Sequence, residues 1–166
     1  MATINTNMAA AAGVVAAMLV STALYGKVDL TMALNGAIGG LVSITAEPLT
    51  PTLGVATLIG GVGGLIVVFA VPMLDKMKID DVVGAIPVHL MAGIWGTLAV
   101  PLTNADANLT TQIISILIVG AFTCVVSAIV WTVIKKTIGI RVTEEEELAG
   151  LDSAELGMDS YPEFTR

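Results

Sequence analysis

Long runs of apolar residues alternate with short polar connections over most of the chain. A helix needs about 20 apolar residues to cross a bilayer, with a range of about 17–25. Five segments fit this pattern, at residues 8–25, 30–46, 52–74, 82–100 and 109–137. The pattern predicts a transmembrane region over residues 1–138 that contains five helices. An acidic tail follows at residues 139–166.

Composition places the chain among membrane proteins. Hydrophobic residues make up 55% of it and charged residues 13%, whereas soluble domains average about 45–50% apolar and about 25% charged. The predicted fold class is therefore an all-α membrane protein, a polytopic transmembrane helix bundle. The net charge of -7 comes mainly from the tail, since eight of the fourteen acidic residues lie between residues 144 and 163. The chain has no basic patch of the kind that binds nucleic acid. No basic stretch precedes the first apolar run, so we predict no secretory signal.

The basic residues predict the orientation in the membrane, because cytoplasmic loops carry an excess of Lys and Arg. The alternate connections at residues 47–51 and 101–108 contain neither. We therefore expect an integral protein of the cell membrane with its N-terminus outside and its C-terminus in the cytoplasm. The basic residues near the predicted membrane ends all fall on one side: Lys27, Lys76, Lys78, Lys135, Lys136 and Arg141.

His89 is the only histidine of the chain and lies inside the fourth apolar segment. An ionisable side chain at membrane depth is costly and marks a candidate functional site. Residues three, four or seven positions away share its face on a helix, and none of them is charged. His89 therefore has no partner on its own helix and is expected to face another helix or a cavity. The residues that share a helix face with His89 are Val82, Ala85, Ile86, Ala92, Gly93 and Gly96.

Two features precede His89. Inside a helix, Pro87 would remove the hydrogen bond to the carbonyl group of Val83, and neighbours or water would have to pair with that carbonyl. The carboxylates of Asp80 and Asp81 stand at the helix start, where they can cap free N–H groups. A direct functional role of this pair is the alternative.

The tail has its own pattern. Thr143 precedes four glutamates, which is typical of a helix N-cap with an acidic first turn. Apolar residues among the acids, such as Leu148 and Leu151, indicate a tail that docks on the cytoplasmic face.

Within the membrane segments a single ionisable residue leaves no acid–base pair, nucleophile or metal cluster, so we expect no enzyme, no metal site and no cofactor.

Three stretches resemble the Amt/Mep/Rh family of ammonium transporters. They are Leu34 to Thr45 (LNGAIGGLVSIT), Asp80 to Gly96, which contains the Val-His pair, and the tail from Gly139 through Asp152 to Tyr161-Pro. Together they span nearly the whole chain in the order that the family has. The chain is similar to the last five of the family's eleven transmembrane helices and the cytoplasmic tail.

The resemblance implies ammonium transport by a homotrimer with one narrow hydrophobic pore through each subunit. Ammonium would be deprotonated and cross past two hydrogen-bonded histidines, the second of which His89 matches. Ala85 and Val88 would lie near the cytoplasmic pore lining, and Asp81 matches a family carboxylate at the helix start.

The resemblance also assigns a regulatory role to the tail, which in the family packs against the neighbouring subunit. The matching residues are Gly139, Arg141, Asp152 and Tyr161. In bacteria the cytoplasmic partner is a PII-type regulatory protein.

This chain departs from the family pattern because the first six helices, with the other histidine, are absent. It also has Leu90 where many members have glycine. We expect that these residues alone do not form a pore and that activity needs the N-terminal helices. The alternative function is a non-conducting half-copy that interacts with full-length transporter trimers and modulates them.

Overall fold

The computed structural model describes residues 1–159 and 161–164. Residues 160, 165 and 166, which belong to the predicted tail, lie outside the described residues. All regular elements in the described part are helices, and the predicted class of a membrane helix bundle is confirmed. The chain forms two compact units, Met1–Ile118 and Val119–Arg166.

The helices occupy most of the described chain. Three of them are long and apolar enough to cross a membrane, namely Ala2–Tyr25, Leu53–Lys76 and Leu109–Thr137. In chain order the elements are α1 (Ala2–Tyr25), α2 (Leu30–Thr45), α3 (Leu53–Lys76), a π-helix (Ile86–Met91), α4 (Ala92–Ala99), a 3₁₀ turn (Val100–Leu102), α5 (Leu109–Thr137), α6 (Glu144–Ala149) and α7 (Leu151–Leu156). At a rise of 1.5 Å per residue, α2 is only about 24 Å long, somewhat less than a typical hydrocarbon core.

Helix α1 begins at Ala2, earlier than the apolar run that starts at Met8. Its polar first turns are helical because Asn5 is buried and its amide donates to the carbonyl oxygens of Pro48, at 3.0 Å, and Pro51, at 2.9 Å. These bonds join the start of α1 to the connection between α2 and α3. Hydropathy alone could not detect this anchoring, because it counts Asn5 as polar.

The fourth segment differs more from expectation, since its helical part begins at Ala85 and not at Val82. Gly84 has a φ of +74°, a left-handed conformation that cannot continue a right-handed helix. Residues 86–91 then form a π-helix, in which hydrogen bonds run over five residues. The segment is therefore not the continuous α-helix that the apolar pattern predicted.

Glycines bring α1, α2 and α3 into backbone contact. A Cβ atom added at Gly64 would collide with the backbone of Gly13, and one at Gly13 would collide with Gly36. Gly40 and Gly60 meet the backbone of Ala9 in the same way. Membrane helices lack a hydrophobic drive for association in lipid, so close contact through small residues is a main source of packing energy.

Two buried clusters flank these contacts. One joins Ala9, Ile44, Ala56, Ile59 and Ala99, and the other joins Ala17, Met32, Val67, Val68 and Val88. The second cluster ties the π-helix to α1, α2 and α3 through Val88. These contacts hold the His89 segment against the rest of its unit.

The two connections without Lys or Arg contact each other. The Asn104 amide donates to Glu47 Oε2 at 3.1 Å, and the hydroxyl oxygens of Thr50 and Thr103 are 3.3 Å apart. This arrangement agrees with the sidedness inferred from the basic residues. The orientation itself stays a prediction.

The glycine contacts can be tested with two neighbouring residues of α3. Gly64→Ala should lower the free energy of unfolding by about 1–3 kcal/mol, because the new methyl group overpacks the contact with Gly13. A Cβ at Gly61 has no neighbour within 4 Å, so Gly61→Ala serves as the matched control and should be neutral or slightly stabilising. Denaturant unfolding of both variants in detergent micelles measures the difference. Equal effects would contradict the packing argument.

Candidate functional site

The imidazole of His89 is exposed, although the segment that carries it packs against the bundle. Ala85, four residues earlier, is also exposed, whereas Val88 is only 2% exposed and lies in the second buried cluster. The segment thus has an inner side that packs and an outer side that presents His89. Short π-helical insertions are rare and occur frequently at functional sites.

Asp81 completes the start of this helix. Its two carboxylate oxygens accept hydrogen bonds from the backbone N–H groups of Ala85 and Ile86, both at 2.8 Å. The backbone N–H of Val88 donates to the carbonyl of Gly84 at 3.1 Å. Pro87 lies between Ile86 and Val88 and has no N–H group. The N–H groups of the first turn, which usually lack partners, are therefore accounted for.

The prediction that Pro87 lies inside a helix and frees the carbonyl of Val83 was wrong. Because the helix begins at Ala85, Pro87 lies in the first turn, where proline is tolerated at no loss of a helical hydrogen bond. The carbonyl of Val83 lies before the helix and accepts a hydrogen bond from the Asn35 side-chain amide at 3.0 Å. The expectation that a neighbour pairs with this carbonyl is thus confirmed, although Pro87 is not the cause.

Asn35 belongs to α2 and lies directly against Gly84. A Cβ atom added at Gly84 would be 2.9 Å from Asn35 Nδ2. Glycine therefore meets two needs here, the positive φ and the space for the amide. The two residues border an open cavity of about 230 Å³ whose other polar lining residues are Thr31, Asp75, Asp80 and Asp81.

Helix α4, which follows the π-helix, is fixed by polar contacts as well as by packing. The indole N–H of Trp95 donates to the carbonyl of Ile59 at 3.0 Å. The buried hydroxyl of Ser43 donates to Gly39 at 2.7 Å and lies 3.4 Å from the carbonyl oxygen of Ala92. Gly96 packs on the backbone of Ser43. Both ends of the π-helix are consequently held by neighbouring helices.

The connection between α2 and α3 has a carboxylate of lowered pKa. The amide of Asn104, and then the backbone N–H groups of Leu49 and Thr50, hold the pKa of Glu47 below its ordinary value. Hydrogen bonds to the charged form cause such a shift. Glu47 therefore favours the ionised form that organises this connection.

The second unit contains the predicted cap of the tail. The Thr143 hydroxyl accepts a hydrogen bond from the Glu146 backbone N–H at 3.3 Å, and Glu146 Oε2 accepts from the Thr143 N–H at 2.9 Å, a capping box. The Thr143 hydroxyl and then its backbone N–H lower the pKa of Glu146. Arg141 forms a two-pronged ion pair with Glu147, and this partner raises the pKa of Arg141.

The other tail residues for which a regulatory role is predicted lie before and after α6. Gly139 has a φ of +91°, which suits glycine at the end of α5. Asp152 lies in the first turn of α7. The ring of Tyr161 contacts that of Phe164 edge to face at 6.3 Å. The regulatory role of these residues stays a prediction.

Sequence reasoning missed Asn35 as part of the site. It belonged to a stretch that resembles the family, and its partner Val83 is 48 residues away. The available signal was a single amide side chain in an apolar helix. Among the described residues, no group of three or more His, Cys, Asp or Glu side chains is arranged to hold a metal ion.

Known proteins match nearly the whole chain. The Ammonium Transporter Family matches residues 1–161. This chain belongs to that family. Ammonium transporter Amt2 of Archaeoglobus fulgidus is 38% identical over 180 residues, which cover 96% of this chain and 38% of the relative. Ammonium transporter Amt1 of Haloferax mediterranei is 40% identical over 164 residues, which cover 96% of this chain and 32% of the relative.

Solved structures of the family show the same fold. The Sensor Amt Protein matches with a TM-score of 0.87 at 30% identity, over 93% of this chain and 41% of that one. Mep2 of Candida albicans matches with a TM-score of 0.78 at 28% identity, over 87% of this chain and 37% of that one. The family and the three apolar helices identify an integral membrane protein. The chain spans less than half the length of these relatives.

The capping role of Asp81 can be separated from its charge by a neighbouring control. Asp81→Ala should lower the free energy of unfolding by about 0.5–2 kcal/mol, the usual cost of losing a side chain that pairs with the first N–H groups of a helix. Asp80→Ala removes an equal charge from an exposed residue and should have little effect. Denaturant unfolding in micelles gives both values. Equal losses would show that charge, and not capping, is what Asp81 provides.

The capping box predicts a pH dependence for α6. Because the folded-state pKa of Glu146 is lowered, its contribution is present above the ordinary glutamate value and is lost as the pH falls through the lowered value. Amide NMR signals of Thr143 and Glu146 should therefore move towards unfolded positions on acidification. Glu146→Gln should suppress this change, while Glu145→Gln should leave it intact. An unchanged response in the first variant would contradict the assignment.

Proposed function

We propose that this chain supplies the C-terminal part of an ammonium transporter, with His89 in the permeation pathway. The observation that carries the proposal is the exposed His89 on a π-helix whose first N–H groups bind Asp81, in a chain that belongs to the ammonium transporter family. The named relatives are ammonium transporters. The proposed substrate is therefore ammonium, or ammonia after loss of a proton.

The chemistry of the segment supports this function. A charged ammonium ion is expensive to move into apolar surroundings, so deprotonation at the entrance lowers the barrier. A neutral imidazole can accept one hydrogen bond and donate another, which suits a polar group beside a passing ammonia molecule. His89 would form the second member of the histidine pair, with Ala85 beside it on the exposed side of the segment.

The pathway is proposed to need residues beyond these five segments. The matched parts cover 38% and 32% of the two named relatives, and the imidazole faces outward from the described bundle. The N-terminal family helices would cover this side and supply the other histidine. Val88 stays a predicted pore-lining residue, and its buried side chain suggests support of the lining from behind.

The partners follow from the same proposal. The complete transporter would be a homotrimer in the cell membrane, with the N-terminus of this chain outside and its tail in the cytoplasm. The acidic tail, with its capping box and the Arg141–Glu147 pair, would be the contact for a PII-type regulatory protein. The exposed Leu148 side chain is suited to a protein contact.

The function can be tested by joining this chain to the remaining N-terminal region of Amt2 of Archaeoglobus fulgidus. In liposomes, the chimera should show saturable ammonium-driven current, whereas this chain alone should show none. His89→Ala in the chimera should lower the current at least about tenfold, because positioned proton-transfer groups contribute roughly 10²–10⁴-fold.

Leu90→Ala, at the next residue of the π-helix, is the matched control and should keep most of the current. Saturable current from this chain alone would refute the need for further helices. An undiminished current in the His89 variant would refute the role of the imidazole.

A further inference from the structure

A long-range hydrogen bond connects α2 to the turn before the His89 helix. The donor is Nδ2 of Asn35 and the acceptor is the carbonyl oxygen of Val83, at 3.0 Å and 48 positions apart in the chain. Asp81 pairs with N–H groups on the helical side of the same turn. The turn is thus held from both sides, at a carbonyl by Asn35 and at two amides by Asp81.

The fit between Asn35 and this turn is close. Gly84 is the residue between the carbonyl of Val83 and the first helical residue, and even a methyl group there would crowd Asn35 Nδ2. The positive φ of Gly84 turns the chain at the same point. The turn therefore has a shape that receives the Asn35 amide, which goes beyond a chance surface contact.

Helix α2 is a rigid base for this bond. Gly36, the residue after Asn35, packs against the backbone of Gly13 and the side chain of Ala17. Met32, one turn before Asn35, lies in the same buried cluster as Val88. The His89 segment is therefore attached to neighbouring helices by a polar contact before the helix and by an apolar contact one residue before the histidine.

The place where a helix begins affects the direction of each side chain that it carries, and so of the imidazole. The direction of a side chain on a helix depends on where the helix begins and on how many residues make a turn, and a π-helix turns more widely than an α-helix. Without the Asn35 amide, the carbonyl of Val83 would lose the bond that joins this turn to α2. The turn would then rearrange, and His89 would rotate with it.

We propose that Asn35 is a positioning residue for His89. By holding the carbonyl of Val83 it fixes the start of the π-helix and hence the place of the imidazole. The importance of that place for transport rests on the proposed function. The positioning itself concerns only residues of this chain.

The single histidine makes the test direct. With ¹⁵N-labelled imidazole, the full chain in lipid bilayers gives one Nδ1 and one Nε2 signal, both from His89. Asn35→Leu should shift both signals. Asn7→Leu is the matched control, because Asn7 donates only within its own helix, to the carbonyl of Thr3 at 2.8 Å, and it should leave them in place. Asn35→Gln, which keeps an amide donor, should give signals closer to those of the unaltered chain.

Asn35→Ala provides a second variant without the N–H donor and without an added charge, should the leucine variant fail to fold. It too should shift the imidazole signals. Unmoved imidazole signals in a folded variant that lacks the donor would overturn the proposal and leave Asn35 with a structural role only.

This outcome is independent of the transport experiment, because the NMR signals require no pore. Shifted signals together with a chimera that does not conduct would refute the proposed function and support the positioning role. Unmoved signals together with a conducting chimera would refute the positioning role alone.

Discussion

In an apolar bundle every backbone N–H and C=O group needs a partner within the protein, and this constraint shapes the segment that carries His89. The first amides of its helix are paired by Asp81, and the carbonyl of Val83 is paired by Asn35. Pro87 occupies a position where no N–H is required. The backbone groups before His89 therefore have hydrogen-bond partners and do not need its side chain.

Close helix packing makes these hydrogen bonds stable in position. Glycine contacts bring the backbones of α1, α2 and α3 together, so α2 is a fixed base for Asn35 and for Ser43. The buried side chain of Val88 adds an apolar contact on the inner side of the π-helix. Packing and polar pairing thus act on the same short segment, and the exposed imidazole is the result.

The tail depends on local interactions. Thr143 and Glu146 are three residues apart and satisfy each other's backbone groups, and Arg141 pairs with Glu147 six residues away. Such contacts need no distant helix. The cap could therefore be predicted from Thr143 and the four glutamates that follow it, whereas the Arg141–Glu147 pair was not predicted.

The sequence by itself determined the apolar segments, capping by the Asp80–Asp81 pair and the tail cap at Thr143, because hydropathy and capping are short-range properties. Three stretches of residues also carried the resemblance to the family. The first helix was longer than its apolar run, since Asn5 is anchored by a distant connection. Only the tertiary structure decided the start at Ala85, the π-helix and the pairing of Asn35 with Val83. The physical reason is separation: an acceptor 48 residues away leaves no trace in local periodicity, and the chain must fold before the bond exists.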